Sequence, residues 1–256
     1  MNIDTNQLMQ ILKKISVGIL ENGGEASRAE ESVMLICRKF GYECDINAVP
    51  TGAFITVTDA EGRFHTVTSR VKKRSVDLTR LDQVNTISRG LISEHLSLEQ
   101  AEQMLFTALA GMNKRNLLKI PAGALATACF SVLFGGKPLE FFGAFICGAI
   151  IQAILIRFKR MDMFHCVSGF LGGLAAAFFA VLYISAVSAA SLHWIVAGAV
   201  MPLLPGLAMV NSIRDTMNGD LVSGISRLGE VILVAVSIAS GVGIVLFVYL
   251  SLGGSV

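Results

Sequence analysis

Residues 201 to 230 read "MPLLPGLAMVNSIRDTMNGDLVSGISRLGE". From Met163 to Ile213 the chain carries no Asp, Glu, Lys or Arg, and this stretch then brings five: Arg214, Asp215, Asp220, Arg227 and Glu230. Proline inside a helix removes an amide donor and clashes with the preceding turn, so Pro202 and Pro205-Gly206 predict a break in an otherwise apolar helix. In a bilayer, backbone freed that way has to face protein or a water-filled cavity. Beyond the break, Asn211, Arg214, Asp215 and Asn218 fall at i, i+3, i+4 and i+7, which puts two amides, a cation and an anion on one face of one helix.

Two readings of that face stand side by side. One is a polar loop with surface charges. The other, joined by Asp220, Arg227 and Glu230, is the lining of a polar path entered from the cytoplasm, because ionisable residues at membrane depth cost about 2.5 to 3.5 kcal/mol each unless partnered or solvated. Such a path suits a small polar solute with a carboxylate, and a half-helix starting near Gly206 adds amide donors to it. On this reading Arg214 binds the carboxylate and Asp215 is its partner or binds an amine. Asp220 and Glu230 are candidates for proton coupling, since partial desolvation raises a carboxyl pKa.

Working outward, 53% hydrophobic residues and a mean hydropathy of +0.64 exceed what a soluble domain needs. Charge is uneven: residues 1 to 119 hold 15 of the 21 Lys and Arg and 14 of the 19 Asp and Glu. The chain therefore reads as a water-facing part, 1 to 115, followed by a lipid-facing part, 116 to 256. A net charge of +2 does not point to nucleic acid. The five cysteines show neither CxxC nor zinc spacing, so no metal, cofactor or disulfide framework is expected. The opening "MNIDTNQLMQILKK" lacks the form of a signal peptide, which leaves the leading part in the cytoplasm.

In the leading part, Leu8, Ile11, Leu12, Ile15 and Ile19 have helical spacing until Gly23-Gly24. A second helix is expected from Ser27, with Ser27 and Glu30 as a capping box. Short β-branched segments follow, punctuated by Pro50-Thr51-Gly52 and Glu61-Gly62, and then helices over 81 to 93 and 97 to 111, the second capped by Ser97 and Gln100. This predicts a small cytoplasmic α+β domain. The remainder predicts an α-helical integral membrane domain of about five spans, near 117–135, 140–157, 163–187, 193–212 and 228–251, the fourth broken at Pro-Gly. Lys114, Arg115, Lys119, Arg157, Lys159, Arg160, Arg214 and Arg227 fall on one side and Lys137 on the other. With the larger count inside, the C-terminus faces out. Glu140, His165 and Cys166 read only as polar residues at helix ends. Gly169-x-x-x-Gly173 and "SIASGVG" from Ser237 read as close helix packing.

The sequence Pro205-Gly206, Asn211, Arg214-Asp215, Gly219-Asp220, Ser223-Gly224 and Arg227 resembles the signature of the threonine/serine exporter family, the ThrE family. "ENGGEASRAEESVMLICRKFG", "VPTG", "SRVKKRSVDLTRLDQVN" and "LSLEQAEQML" extend the resemblance from about residue 8 to about 250. Full-length members resemble this chain extended by a second five-helix half. The chain is instead similar to the split branch, whose YjjP-like subunits act beside a separate small five-span membrane protein of the YjjB type. The resemblance implies a multi-pass subunit of the inner (cytoplasmic) membrane that acts in an oligomer. It exports threonine or serine, or alternatively a dicarboxylate such as succinate. A hydrolase is disfavoured, since there is no G-x-S-x-G or HExxH and Ser27, Glu30, Glu31, His65 and His95 have no catalytic spacing. A membrane-tethered sensor acting through the cytoplasmic domain needs neither five spans nor Arg214 and Asp215.

Overall fold

The computed structural model describes residues 4–93, 95–110, 116–160 and 164–254. Lys114 and Arg115, and the side chains of Lys159 and Arg160, which entered the charge count above, lie outside the described residues. The chain divides into two compact units, one of Met1–Met112 with Leu207–Gly229 and the other of Asn113–Gly206 with Glu230–Val256. The first unit thus takes in a segment that the hydropathy assigned to the membrane part.

In the first unit, α1 (Thr5–Glu21) buries Leu8, Ile11, Leu12, Ile15 and Ile19 completely, the stripe its spacing predicts. Asp4 caps it, accepting from the Asn6 amide at 2.9 Å. The helix stops at Gly23, which has φ 92, and Gly24, where an added Cβ would lie 2.4 Å from the Ile19 side chain. The next helix, α2 (Ala26–Lys39), begins one residue earlier than expected, with Glu25 at its N-cap and no side-chain cap. The Ser27–Glu30 capping box is not made: Ser27 lies inside the helix, and Glu30 instead accepts from the Ala48 amide at 2.8 Å.

Strands β1 (Glu43–Val49), β2 (Gly52–Thr58) and β3 (Phe64–Arg70) form an antiparallel sheet in chain order. Val49 pairs with Gly52 across the two-residue loop Pro50-Thr51, and a side chain at Gly52 would meet the Ser69 carbonyl at 2.3 Å. Ala53, Ile55 and Val57 turn inward while Phe54 is exposed, the alternation of a half-buried strand. At the β2–β3 turn Asp59 accepts from Arg63 Nε at 2.8 Å and lies 2.9 Å from His65 Nε2, so His65 is part of a turn clamp. After β3, α3 (Leu78–Ile92) and α4 (Leu98–Ala110) bury Leu81, Val84, Ile87, Leu91, Ala101 and Leu105. The Ser97 and Gln100 capping box forms as predicted, at 3.0 and 3.2 Å.

The second unit is helical: α5 (Asn116–Leu133), α6 (Pro138–Arg160), α7 (His165–Ala186), α8 (Leu192–Val200) and most of α10, which spans Leu221–Ser251. Three described helices are long and apolar enough to cross a membrane: α6 over Pro138–Phe158, α7 and α10. A fourth candidate is α8 with the 3-10 turn Met201–Leu203, taken together with α9 (Gly206–Met217). The apolar part of α5, Leu118–Leu133, is shorter than the roughly 20 residues a span requires.

Glycine sets the packing of this unit. A Cβ at Gly148 would meet the Thr127 side chain at 2.5 Å, and one at Gly198 the Thr127 carbonyl at 2.7 Å, so α6 and α8 both press on α5. Gly173 and Gly241 do the same for α7 and α10, with added Cβ atoms 2.4 Å from Ile238 O and 2.2 Å from Phe170 O. Glu140 has a larger part than its position at a helix end predicts. It is buried, and its carboxylate accepts from the Lys137 amide at 2.9 Å and the Ser191 amide at 2.8 Å, tying the starts of α6 and α8 together. All five cysteines are free.

Candidate functional site: the α9–α10 hairpin in the first unit

The break predicted at Pro202 and Pro205 is present. The helical run of α8 and its 3-10 turn ends at Leu203, Leu204 is extended at ψ 137 as a residue before proline must be, and α9 starts at Gly206. Pro205 and Gly206 belong to the second unit, and the chain enters the first at Leu207. There α9 is two-sided: Asn211, Ser212 and Asp215 are buried, while Met209, Val210, Ile213 and Met217 are exposed.

Each residue of the following G-D-x-x-S-G-x-x-R run has a structural task. Gly219 turns the chain at φ 90, which an L side chain rarely adopts. Asp220 then caps α10, accepting from the Ser223 amide through Oδ1 at 3.3 Å. Gly224 lets the two helices touch, since a Cβ there would lie 2.1 Å from Thr216 Oγ1, and the Ser212 hydroxyl donates to the Gly224 carbonyl at 2.9 Å. One turn later Arg227 points back into the same region and is 5% exposed.

The polar side of this hairpin meets the turn between α1 and α2. Asn211 donates its side-chain amide to Gly23 O at 2.8 Å, Arg227 Nη2 donates to Gly24 O at 2.8 Å, and Asn218 donates to Ser27 Oγ at 3.1 Å. Arg214 pairs with Glu25, and Ser223 Oγ donates to Ala48 O on β1 at 3.4 Å. At the centre, Arg227 Nε and Asp215 Oδ2 approach to 3.0 Å with side chains 6% and 0% exposed. This is a charge pair without an aligned N–H···O bond. Asp215 also faces the Ala26 amide at the start of α2, so a carboxylate from a distant helix supplies the anion that Glu25 does not provide as a cap.

Glu30 lies at the edge of this cluster. Its burial, opposed by the Ala48 amide and reinforced by the charges of Asp220 and Asp215, pushes its carboxyl above the usual carboxylate value.

Of the residues singled out in the sequence, the structure brings Asn211, Arg214, Asp215, Asn218, Asp220 and Arg227 together. Pro205 and Gly206 stand at the break, and Glu230 begins the next part of the second unit. Nothing in the sequence marks Gly23, Gly24, Glu25, Ser27, Glu30 and Ala48 as the receiving side, although all but Ala48 lie in the stretch "ENGGEASRAEESVMLICRKFG" that resembles the family. Gly23-Gly24 was legible as a helix stop but not as a pair of acceptors. Among the described residues, no group of three or more His, Cys, Asp or Glu is placed to hold a metal ion.

Comparison with known proteins follows the same run of chain. A family model described as "Putative threonine/serine exporter" matches residues 10–249, both units included. A probable succinate transporter subunit YjjP of Klebsiella aerogenes is 22% identical over 229 residues, covering 88% of this chain and 87% of the relative. Its namesake in Escherichia coli is 21% identical over 237 residues, covering 90% of each. No solved structure gives a significant match. With nearly the whole length matched, and with the apolar helices such a function requires, the chain belongs to the ThrE family of putative threonine/serine exporters, a family of membrane transporters and not of enzymes.

Proposed function

We propose that this protein is one subunit of a secondary transporter that exports small hydrophilic metabolites bearing a carboxylate, acting with a second, five-span membrane subunit of the YjjB type. The observation that carries the proposal is the family match, which runs through the broken helix and the polar hairpin as well as the apolar helices. The family description names threonine and serine, and the two relatives are named for succinate. A C4 dicarboxylate is the favoured solute, because those relatives align over about nine-tenths of the chain as subunits of the same kind. Threonine or serine is the second reading.

On this proposal the protein lies in the cytoplasmic membrane with about five spans, α5 among them, its leading domain in the cytoplasm and its C-terminus outside. The solute's path runs by Pro205, Gly206 and the α9 face of Asn211, Arg214, Asp215 and Asn218, with Arg227 behind it. Arg214 is the more exposed of the two hairpin cations and the one a carboxylate reaches first. Asp220 and Glu230 remain the candidates for proton coupling in transport.

The test is efflux of labelled succinate, threonine and serine from cells carrying this chain with and without its five-span partner. Faster loss of one solute only when both are present, abolished by Arg214→Ala, supports the proposal. Equal efflux in every combination overturns it.

A further inference from the structure

The buried end of the cluster in the first unit holds more negative than positive charge. Asp215 is fully buried against Arg227, and Asp220 has its Oδ2 buried with no hydrogen-bond partner among the described residues. Glu30 is joined to them by a short chain of bonds. The Ala48 amide donates to Glu30, the Ser223 hydroxyl donates to the Ala48 carbonyl, and the Ser223 amide donates to Asp220 Oδ1. Three carboxylates from α2, α9 and the α9–α10 turn thus lie near one another, and the buried guanidinium of Arg227 is paired with Asp215, while Arg214 is half exposed and engaged by Glu25. Asp215 is buried while Glu30 and Asp220 are half-buried, so an ionised Glu30 adds negative charge to a partly desolvated place that already holds two aspartates and one paired arginine. A proton on Glu30 removes that added charge.

We infer that Glu30 is a proton-binding site, and that its ionisation loosens the α9–α10 hairpin from the α1–α2 turn and β1. The geometry selects Glu30 from the three. Asp215 is committed to Arg227, Asp220 Oδ1 caps α10, and among the described residues Glu30 accepts at Oε1 from an uncharged amide. It sits on the leading segment with Ala48, whereas Asp215 and Asp220 sit on the hairpin, so a negative Glu30 repels the hairpin it faces.

The groups that bear on Glu30 can be named element by element. Among the described residues, Asp215 comes from α9, Asp220 from the turn, Arg227 from α10 through its pair with Asp215, and the Ala48 amide from β1; at the N-cap of α2, Glu25 is taken by Arg214. Burial and the two aspartates raise its carboxyl above the unfolded value of 4.5. A raised folded value means that the stabilisation is complete below the unfolded value and is lost as pH rises through the folded one. Docking of the hairpin is therefore tightest in acid and weakens toward alkaline pH. This does not depend on which solute is carried, or on whether any is.

The experiment is hydrogen exchange of the full chain in lipid nanodiscs, corrected for intrinsic rates, at about pH 5 and about pH 8. Amides of residues 211 to 224 in the native protein should lose protection about tenfold or more between the two. In Glu30→Gln, which keeps an acceptor for Ala48 without the charge, protection should stay high at both. Unchanged protection in the native chain, or the same pH dependence in Glu30→Gln, overturns the inference. Should that variant fail to fold, Asp220→Asn decides instead. Removing the charge that faces Glu30 should shrink the dependence, and an undiminished one is equally contrary.

Discussion

Arg227 offers the most direct measure of how firmly the hairpin is held. Its side chain is 6% exposed, it faces a fully buried Asp215 at 3.0 Å, and it also donates to Gly24 O. Arg227→Met keeps much of the volume and removes the charge, leaving Asp215 buried without its cation. Removing one member of a buried pair costs about 3 to 5 kcal/mol, mostly from the stranded charge. For a chain of this size each kcal/mol lowers the melting temperature by about 2 to 4 °C, so the expected fall is about 6 to 20 °C. The double variant Arg227→Met, Asp215→Leu removes both charges, and most of the loss should return because a well-packed apolar pair replaces a desolvated ionic one. Thermal unfolding of the full chain in detergent, followed by size exclusion of the soluble fraction, reads both numbers without reference to transport. A single substitution costing less than about 1 kcal/mol, or a double variant whose loss equals the sum of the two singles, would refute the account of this pair as mutually dependent.

Further consequences follow from other parts of the fold. Gly173→Ala or Gly241→Ala forces a Cβ to within 2.4 or 2.2 Å of a carbonyl oxygen on the facing helix, so each should cost about 1 to 3 kcal/mol in the same melting assay. Gly243→Ala, with open space around it, should cost nothing and serves as the control. Glu140→Ala strips two backbone amides of a charged acceptor, and a loss of about 1.5 to 3 kcal/mol is expected, with Glu140→Gln intermediate. Asp59 is held well below its usual carboxylate value, by His65 first and then by Arg63. A lowered value makes its contribution present above the unfolded value of 3.8 and lost as pH falls, so hydrogen exchange at the β2–β3 turn should quicken in strong acid and lose that dependence in Asp59→Asn.

What the sequence reveals depends on how local the cause is. The α1 stripe from Leu8 to Ile19 and the Ser97–Gln100 capping box are decided within one or two helical turns, and both are found as read. Ser27 and Glu30 have the same spacing as Ser97 and Gln100, yet the first pair makes no cap. Glu30 finds a better donor in Ala48, on a strand 18 residues away, and Ser27 accepts from Asn218. A pattern of two residues cannot register such competitors.

The segment after Pro205 carries the same point further. Its residues through Ile213 continue an uncharged run, so hydropathy extends the fourth span to about residue 212, but half of α9 is built to face polar partners. Of the i, i+3, i+4, i+7 set, Asn211, Arg214 and Asp215 lie in α9 and Asn218 just past its end. Their partners, Gly23 O, Glu25 and Ser27 Oγ, are about 190 positions earlier in the chain, and two of the three contacts are made to or beside glycines that read only as a helix stop. The run that resembles the family's signature therefore has a structural reason that does not require a bound solute. Gly219 turns the chain, Asp220 caps, Gly224 admits Thr216, and Arg227 neutralises Asp215. Loss of transport in any one of these variants is accordingly ambiguous between a damaged path and a released hairpin. Arg214 is the residue that separates them: its side chain is 53% exposed, against 6% for Arg227, so although Glu25 is 13% exposed, removing Arg214 should cost far less melting temperature than removing Arg227 and should act on the solute.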